Sequence, residues 1–446
     1  MTKKTLHIGL DDTDSTRRGC TTYIAALLVE KLLKLGANFI DYPNLIRLNP
    51  NVPWKTRGNG ALCLRIQHDE TAESQIKETV ISTVEEHADL QCRGTDPGAV
   101  FFNAARIPKE IRAFAKNTMT GIADLKDATK LLKKFNGEAL AFKGGRGIIG
   151  ALAAVGENLQ ADHTYEVIAY RTPENYGTKR QVDEKSIFEM DRATKPYTFN
   201  NVDTEKKRVI ITPRGPDPIL FGIRGESPQI VKEAFLMVKA LEPVERWVIF
   251  RTNQGTDAHL KRVKQLGQIR PYSPVIAKGT VSATPRMIRG RHIIFSIKDD
   301  SSEVDCAAYE PTGALRTAAR KLIVGDELEV YGGVRRPSQS KPVTINLEKI
   351  RGLKLASQIV YRNPVCPKCA DRLKSMGTNK GFRCDKCGAR YPSIRKVGVK
   401  VKRDIRRGLY MTSTRSQRHL TKPFGRYGME KWHEKVENLI GEWHFP

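Results

Sequence analysis

The segment Thr5-Leu6-His7-Ile8-Gly9-Leu10 is a short apolar run, and Asp11-Asp12-Thr13-Asp14 follows at its C-terminal end. Cys20-Thr21-Thr22 then opens a helical pattern from Thr21 to Leu35, with Ile24, Leu27, Leu28, Leu32 and Leu35 at helical spacing. Gly36 stops it. Strand, acidic turn and helix in this order start an α/β unit. Three carboxylates at one strand end repel one another, and a divalent metal, Mg2+ with nucleotide phosphates, would neutralise Asp11, Asp12 and Asp14. An exposed acidic turn is the plain alternative. Thr21 sits where a hydroxyl either caps the helix or, beside a metal and the helix N-terminus, accepts a phosphoryl group. Asp12-x-Asp14-x-Thr16 also fits the aspartyl-phosphate signature of haloacid-dehalogenase phosphatases, but no convincing later Lys and second acidic pair follow.

Working outward, strands are expected near Ile46 and over Ala61–Ile66, with a helix near Ser74–His87. A second unit is expected to start near Glu138. It would comprise a strand at Ala139–Phe142, a helix at Ile148–Val155, strands at Tyr165–Tyr170 and Ile219–Ile223, a helix at Pro228–Leu241 and a strand at Arg246–Phe250. That β-α-β-β-α-β order is the ferredoxin-like one. The long polar stretch inside it is expected to contribute to a site. From Tyr272 to Arg351 the pattern becomes five short strands with a helix at Thr312–Leu322 after the third, the pattern of an OB-fold barrel.

Cys366-x2-Cys369-x14-Cys384-x2-Cys387 offers four thiolates to one tetrahedral Zn2+, a closed and therefore structural site; an Fe–S cluster is the alternative. The other four cysteines are scattered, so no secreted disulfide framework is present and a reducing cytoplasmic compartment is expected. No apolar run reaches the ~18 residues of a membrane span. No secretory signal is evident.

The chain has 446 residues and a formal net charge of +27, of which +16 falls in residues 351–446. Phe382, Tyr391, Tyr410, Phe424, Tyr427 and Trp432 interleave with those cations. Cations for phosphates and aromatic faces for bases suit an RNA surface. The tail beyond residue 400 has little periodicity and is expected to order only with RNA. Three glycine-rich basic phrases, Lys55-Thr56-Arg57-Gly58-Asn59-Gly60, Lys143-Gly144-Gly145-Arg146-Gly147 and Gly222-Ile223-Arg224-Gly225, fit phosphate handling without forming a Walker A motif. Each alone is weak, and the histidines receive no ligand role.

Together these phrases are specific. IGLDDTDS (8–15), GCTTY (19–23), LIRLNPNVPWKTRGNGA (45–61), DPGAVF (96–101), GRGIIGALAAVG (145–156), IAYRTPE (168–174), FGIRGES (221–227), CAAYEPT (306–312), INLEKI (345–350), the four-cysteine ribbon and RHLTKP (418–423) resemble, in order and over nearly the whole chain, the archaeal agmatidine-forming synthetases of isoleucine tRNA. The resemblance implies an α+β multidomain protein. Its segments would be an ATP-binding kinase-like α/β domain at 1–137, a ferredoxin-like domain at 138–270, an OB-fold at 271–352, a zinc ribbon at 353–400 and a basic tail at 401–446.

It further implies an ATP-dependent ligase that joins agmatine to the 2-position of the wobble cytidine in the CAU-anticodon isoleucine tRNA. In that reaction ATP phosphorylates the cytosine oxygen, the agmatine amine displaces it, and ATP ends as AMP and phosphate. Asp11, Asp12 and Asp14 would serve the Mg2+–ATP site, and Thr21 would be the phosphorylated threonine. Lys55, Arg57, Asn59, Lys143, Arg146 and Arg224 are nucleotide- or substrate-site candidates. Asp191, Asp203 and Glu174 are candidates for agmatine's cations. The free protein is expected to be a monomer. The family usually has Asn-Pro-Gly where this chain has Asp96-Pro97-Gly98. A non-catalytic OB-fold and zinc-ribbon RNA binder is the competing reading.

Overall fold

A computed structural model describes residues 3–15, 17, 19–55, 58–338, 342–432 and 438–446. The apolar N-terminal run forms β1 (Lys3–Asp11), with Leu6, Ile8 and Leu10 fully buried. The helical pattern forms α1 (Thr21–Lys34), whose Ile24, Leu28 and Leu32 face the core. Then come β2 (Asn44–Arg47), β3 (Gly60–Asp69), α2 (Glu73–His87), β4 (Gly98–Asn103), α3 (Lys109–Thr120), α4 (Leu125–Lys134), β5 (Glu138–Ala141) and α5 (Gly147–Gly156). The chain continues through β6 (Thr164–Arg171), α6 (Glu184–Thr194), β7 (Ile219–Gly225), α7 (Pro228–Met237) and β8 (Val244–Thr252).

These strands make one continuous sheet in the order β5-β4-β1-β3-β2-β8-β6-β7, extended by Thr198–Phe199 beside β7. The two halves join where β2 runs parallel to β8, with Asn44 opposite Arg251 and Leu45 opposite Thr252. Pairing without a gap merges the two expected N-terminal units into a single wall.

The expected start of the second unit at residue 138 is corrected. Strand β5 hydrogen-bonds to β4, and α5 packs on β1, β3 and β4, so both belong to the first half of the sheet. Close approach is the reason. A Cβ on Gly98 would stand 2.3 Å from the backbone nitrogen of Ile148, so the helix lies directly on the strand. Periodicity identifies the apolar faces of β5 and α5 without saying which strand covers them. The polar stretch between β6 and β7 is not irregular throughout, since it contains α6, N-capped by Asp183.

A second sheet closes on itself. Strands β9 (Pro274–Ile288), β10 (His292–Lys298), β11 (Glu303–Ala308), β12 (Glu327–Arg335) and β13 (Thr344–Lys354) follow in order β9-β10-β11-β13-β12, and β9 pairs again with β12. Helix α8 (Ala314–Arg320) lies between β11 and β12, as the five-strand pattern anticipates. Its core is separate from that of the wall. Beyond it, residues 358–362 pair with 397–401, and short strands at 374–375, 382–383 and 390–391 surround the cysteines.

The described residues of the tail pack within the chain itself, which corrects the expectation that only RNA orders them. Strand β14 (Gly408–Met411) adds to β13, and β15 (His444–Phe445) adds to β8. Arg426 is fully buried and reaches Asp162 at 2.8 Å and the carboxylate of Glu226. Trp443 packs on Phe39 and Tyr42. Basic residues there are partly spent on buried acidic partners, and composition does not reveal that use. Among the described residues no helix is long and apolar enough to cross a membrane.

Candidate active site

The acidic turn leaves the C-terminal end of β1 and opens into a cavity of about 250 Å³. Asp11, Asp12, Asp14, Cys20, Thr21 and Thr22 all line it. Gly150 of α5 lets Asp11 sit against the helix, because a Cβ there would stand 1.9 Å from the Asp11 Oδ2. Burial, reinforced by the neighbouring Asp12 charge, pushes the Asp11 carboxyl well above its ordinary range. Asp12 occupies the left-handed region at φ 59°. Burial pushes its carboxyl up to about 6 even though Arg146 pulls the other way. Arg146 Nε donates to Asp12 Oδ2 at 2.8 Å. An incoming cation would favour the charged forms that burial disfavours here.

Thr21 begins α1, and its Oγ accepts a hydrogen bond from Thr13 Oγ at 3.0 Å. Cys20 at the N-cap position makes no side-chain cap, which leaves the helix N-terminus open to an anion. Asp96 receives the backbone nitrogens of Gly145 at 2.9 Å and Arg146 at 3.2 Å. It thereby fixes the turn that aims Arg146 at Asp12, an organisation that composition does not show.

The other candidates divide. Lys55, Asn59 and Arg146 line the cavity. Asn59 also ties its own loop by donating to the Asn49 carbonyl at 2.7 Å. Lys143 does not line the cavity; its ammonium donates to the carbonyls of Cys92 at 2.9 Å and Thr95 at 2.8 Å. Arg224 lines an adjoining cavity of about 240 Å³, where its Nε meets Glu166 at 3.0 Å. Arg57 lies outside the described residues. Asp191 and Asp203 are buried and Glu174 is exposed; none lines either cavity.

Residues passed over in the sequence are also present. Arg47, Asp217 and His419 line the first cavity, and Glu166, Arg47 and His419 the second. His419 comes from the tail, where its carbonyl accepts from Gly255 N at 2.8 Å. Its Nδ1 accepts from Arg224 Nη2 at 2.9 Å. Arginine only donates, so the neutral ring carries its proton on Nε2. Burial, with Arg47, Arg224 and Lys55 close by, holds His419 well below the usual imidazole range. The RHLTKP phrase was the one available signal for it.

In the ribbon, the ligand atoms of Cys366, Cys369, Cys384 and Cys387 all lie within 4.8 Å of one another, a set that could hold a metal ion.

Comparison with known proteins matches three family models, described as the TiaS TCKD domain over residues 7–143, the TiaS FLD domain over 145–259 and the TiaS C-terminal zinc ribbon domain over 363–405. The chain is 43% identical over 423 residues to the isoleucine-tRNA 2-agmatinylcytidine synthetase TiaS of Methanocaldococcus jannaschii, covering 94% of this chain and 98% of that protein. The enzyme of the same name from Pyrococcus horikoshii is 44% identical over 418 residues, covering 94% and 96%. A crystal structure of TiaS in complex with its isoleucine tRNA and ATP superposes with a TM-score of 0.86 at 40% identity, over 95% of this chain and 97% of that one. A TiaS complex with the same tRNA, AMPCPP and agmatine gives 0.84 at 38% identity, over the same 95% and 97%. The acidic turn, the sheet and the four-cysteine ribbon thus occur together in a chain that belongs to the TiaS family of isoleucine-tRNA 2-agmatinylcytidine synthetases.

Proposed function

We propose that the acidic-turn cavity is where this ATP-dependent ligase activates the wobble cytidine of the CAU-anticodon isoleucine tRNA and joins it to agmatine. The observation that carries the reading is the convergence of Asp11, Asp12, Asp14 and Thr21 on one cavity that also presents Lys55 and Arg146. Asp11, Asp12 and Asp14 would hold Mg2+, which supplies positive charge to a triphosphate. Thr21, at the open end of α1, is the phosphoryl acceptor. Lys55 and Arg146 would balance phosphate charge, and Arg146, paired with Asp12 here, would be free to pair with phosphate once those carboxylates hold Mg2+.

The chemical logic is direct. The cytosine 2-oxygen is a poor leaving group. Once phosphorylated, it departs as phosphate when the agmatine nitrogen bonds to C2. The adjoining cavity suits agmatine. Ile168, Phe199, Ile211 and Ile219 give its tetramethylene chain an apolar wall, and Glu166 lies there for one cationic end, with Asp217 in the neighbouring acidic-turn cavity for the other. Asp191, Asp203 and Glu174 are set aside for that role. The closed five-stranded barrel is read as an OB-fold and the first half-sheet as a kinase-like unit. The sheet's second half is read as ferredoxin-like. The ribbon cysteines would hold a structural Zn2+, and the enzyme works in the cytoplasm.

The test is incubation with ATP, agmatine and a CAU-anticodon isoleucine tRNA, followed by mass analysis of the wobble nucleoside. The wild type should add agmatine. Asp12→Asn should lose that product by about a hundredfold or more, and Thr21→Val should lose the protein-bound phosphate. Full product from Asp12→Asn would overturn the assignment.

A further inference from the structure

Of the residues in the acidic turn, Asp11, Asp12 and Asp14 line the cavity, whereas Thr13 is fully buried and stands behind it. A hydroxyl shut away from solvent needs a partner inside the protein. Thr13 takes Thr21, donating its proton to the Thr21 Oγ across 3.0 Å. Thr21 itself lines the cavity, so one side of its oxygen meets Thr13 and the other meets the space where a ligand would lie.

The backbone around Thr13 is fixed on every side. Upstream, Asp11 is still paired with Gly98 across the sheet. Downstream, the Thr95 hydroxyl donates to the Asp14 carbonyl at 3.0 Å, and Ser15 Oγ donates to the buried carboxylate of Asp89 at 2.7 Å. The Thr13 carbonyl lies against Gly19, where a Cβ would stand 2.7 Å from that oxygen. Gly19 is in the left-handed region at φ 79° and leads directly into Cys20 and Thr21. Glycine at that position lets the acidic turn fold back onto the start of α1. A hydroxyl normally rotates to suit its surroundings, but one on a backbone held this firmly keeps a single aim.

We propose that Thr13 is the positioning residue of the phosphoryl acceptor: its donated proton occupies one lone pair of the Thr21 oxygen and leaves the other lone pair, with the Thr21 proton, to the cavity. This inference rests on the reading of Thr21 as the acceptor and gives that hydroxyl its orienting partner. In the transfer, the Thr21 Oγ bonds to a phosphorus of the triphosphate. The P–O bond to the departing phosphate breaks, and its electron pair stays on that phosphate. The Thr21 proton passes to a phosphate oxygen and from there to water. The Thr13 bond persists throughout, because the ester oxygen keeps the lone pair that accepts it. An acceptor oriented before the triphosphate arrives needs no reorganisation at the moment of transfer.

The test follows label from ATP appearing on the full-length protein with Mg2+ and without tRNA, over a range of ATP concentrations. Thr13→Val keeps the shape of the side chain and deletes the donor, and Thr13→Ser keeps the donor. At saturating ATP, Thr13→Val should label about ten- to a hundredfold more slowly, with the half-saturating ATP concentration unchanged. Thr13→Ser should recover most of the rate. Wild-type labelling in Thr13→Val would overturn the assignment. So would a loss that Thr13→Ser leaves unrepaired, or one that high ATP abolishes, since Thr13 would then serve packing or nucleotide binding. Should Thr13→Val fail to melt cooperatively, Thr13→Cys carries the test: its weaker donor should label more slowly than Thr13→Ser, and equal rates would overturn the assignment. If mass mapping finds the wild-type phosphate away from Thr21, the reading of Thr21 as acceptor falls and this inference with it. Phosphate on Thr21 with no effect of Thr13→Val overturns this inference alone.

Discussion

Asp12 and Arg146 stand 134 positions apart and meet through one ion pair. The cation paired with Asp12 in the acidic turn is thus supplied by the chain itself. What aims Arg146 is Asp96. Its two carboxylate oxygens take one backbone nitrogen each. Asn at 96 keeps only one acceptor. Asp96→Asn should therefore cost about 1 kcal/mol of stability, read by urea unfolding, with agmatidine formation retained. Abolished turnover would show that position 96 touches substrate rather than the turn.

Helix α5 governs the site as an element. Gly98 and Gly147 let it lie against β4, and Gly150 admits Asp11. Gly150→Ala puts a methyl into the Asp11 carboxylate, and either the helix or the aspartate must move. We expect a loss of about 1–3 kcal/mol in thermal unfolding. The extra stability conferred on the wild type by Mg2+ with an ATP analogue should also disappear. A variant that melts normally and still gains from Mg2+ and nucleotide would contradict this packing role.

Across the whole molecule, the tail is a strap between wall and barrel. Thr421 Oγ donates to Glu348 Oε2 at 3.0 Å, and His259 meets the same carboxylate at 3.2 Å. Lys349 Nζ donates to the Lys422 carbonyl at 2.9 Å. Burial pushes the Glu348 carboxyl up, but His259, Arg418 and Thr421 outweigh it and hold it at about 2, below the ordinary 4.5. A carboxyl lowered on folding adds stability above its unfolded value and loses it as the pH falls. Glu348→Gln should therefore destabilise the protein by about 3 kcal/mol at neutral pH. That penalty should shrink as pH falls from 4.5 toward 2, measured as wild-type and variant melting curves against pH. A pH-independent difference would deny the charge its part. Deleting residues 417–446 removes His419 from the cavity and Arg426 from Asp162 and Glu226. It should abolish activity and lower the melting temperature together, whereas a tail that served RNA alone would leave the melt unchanged.

The local pieces are legible from residue order: the strand ending in Asp11, the helix opening at Thr21, five barrel strands and two CxxC turns. Each of these is legible because period, turn chemistry and ligand spacing are properties of neighbouring residues. The same reading offered Lys143 as a site candidate, and the structure places its ammonium on the carbonyls of Cys92 and Thr95. Tertiary structure alone decided that β2 and β8 fuse two units into one sheet and that α5 lies on the first half. It also decided that His419 and Arg47 share cavities with Thr22. Hydrophobic period shows that a face is buried, not what covers it. A basic residue in the sequence is equally ready for an RNA phosphate or for a carboxylate two hundred residues away, as Arg426 and Glu226 show.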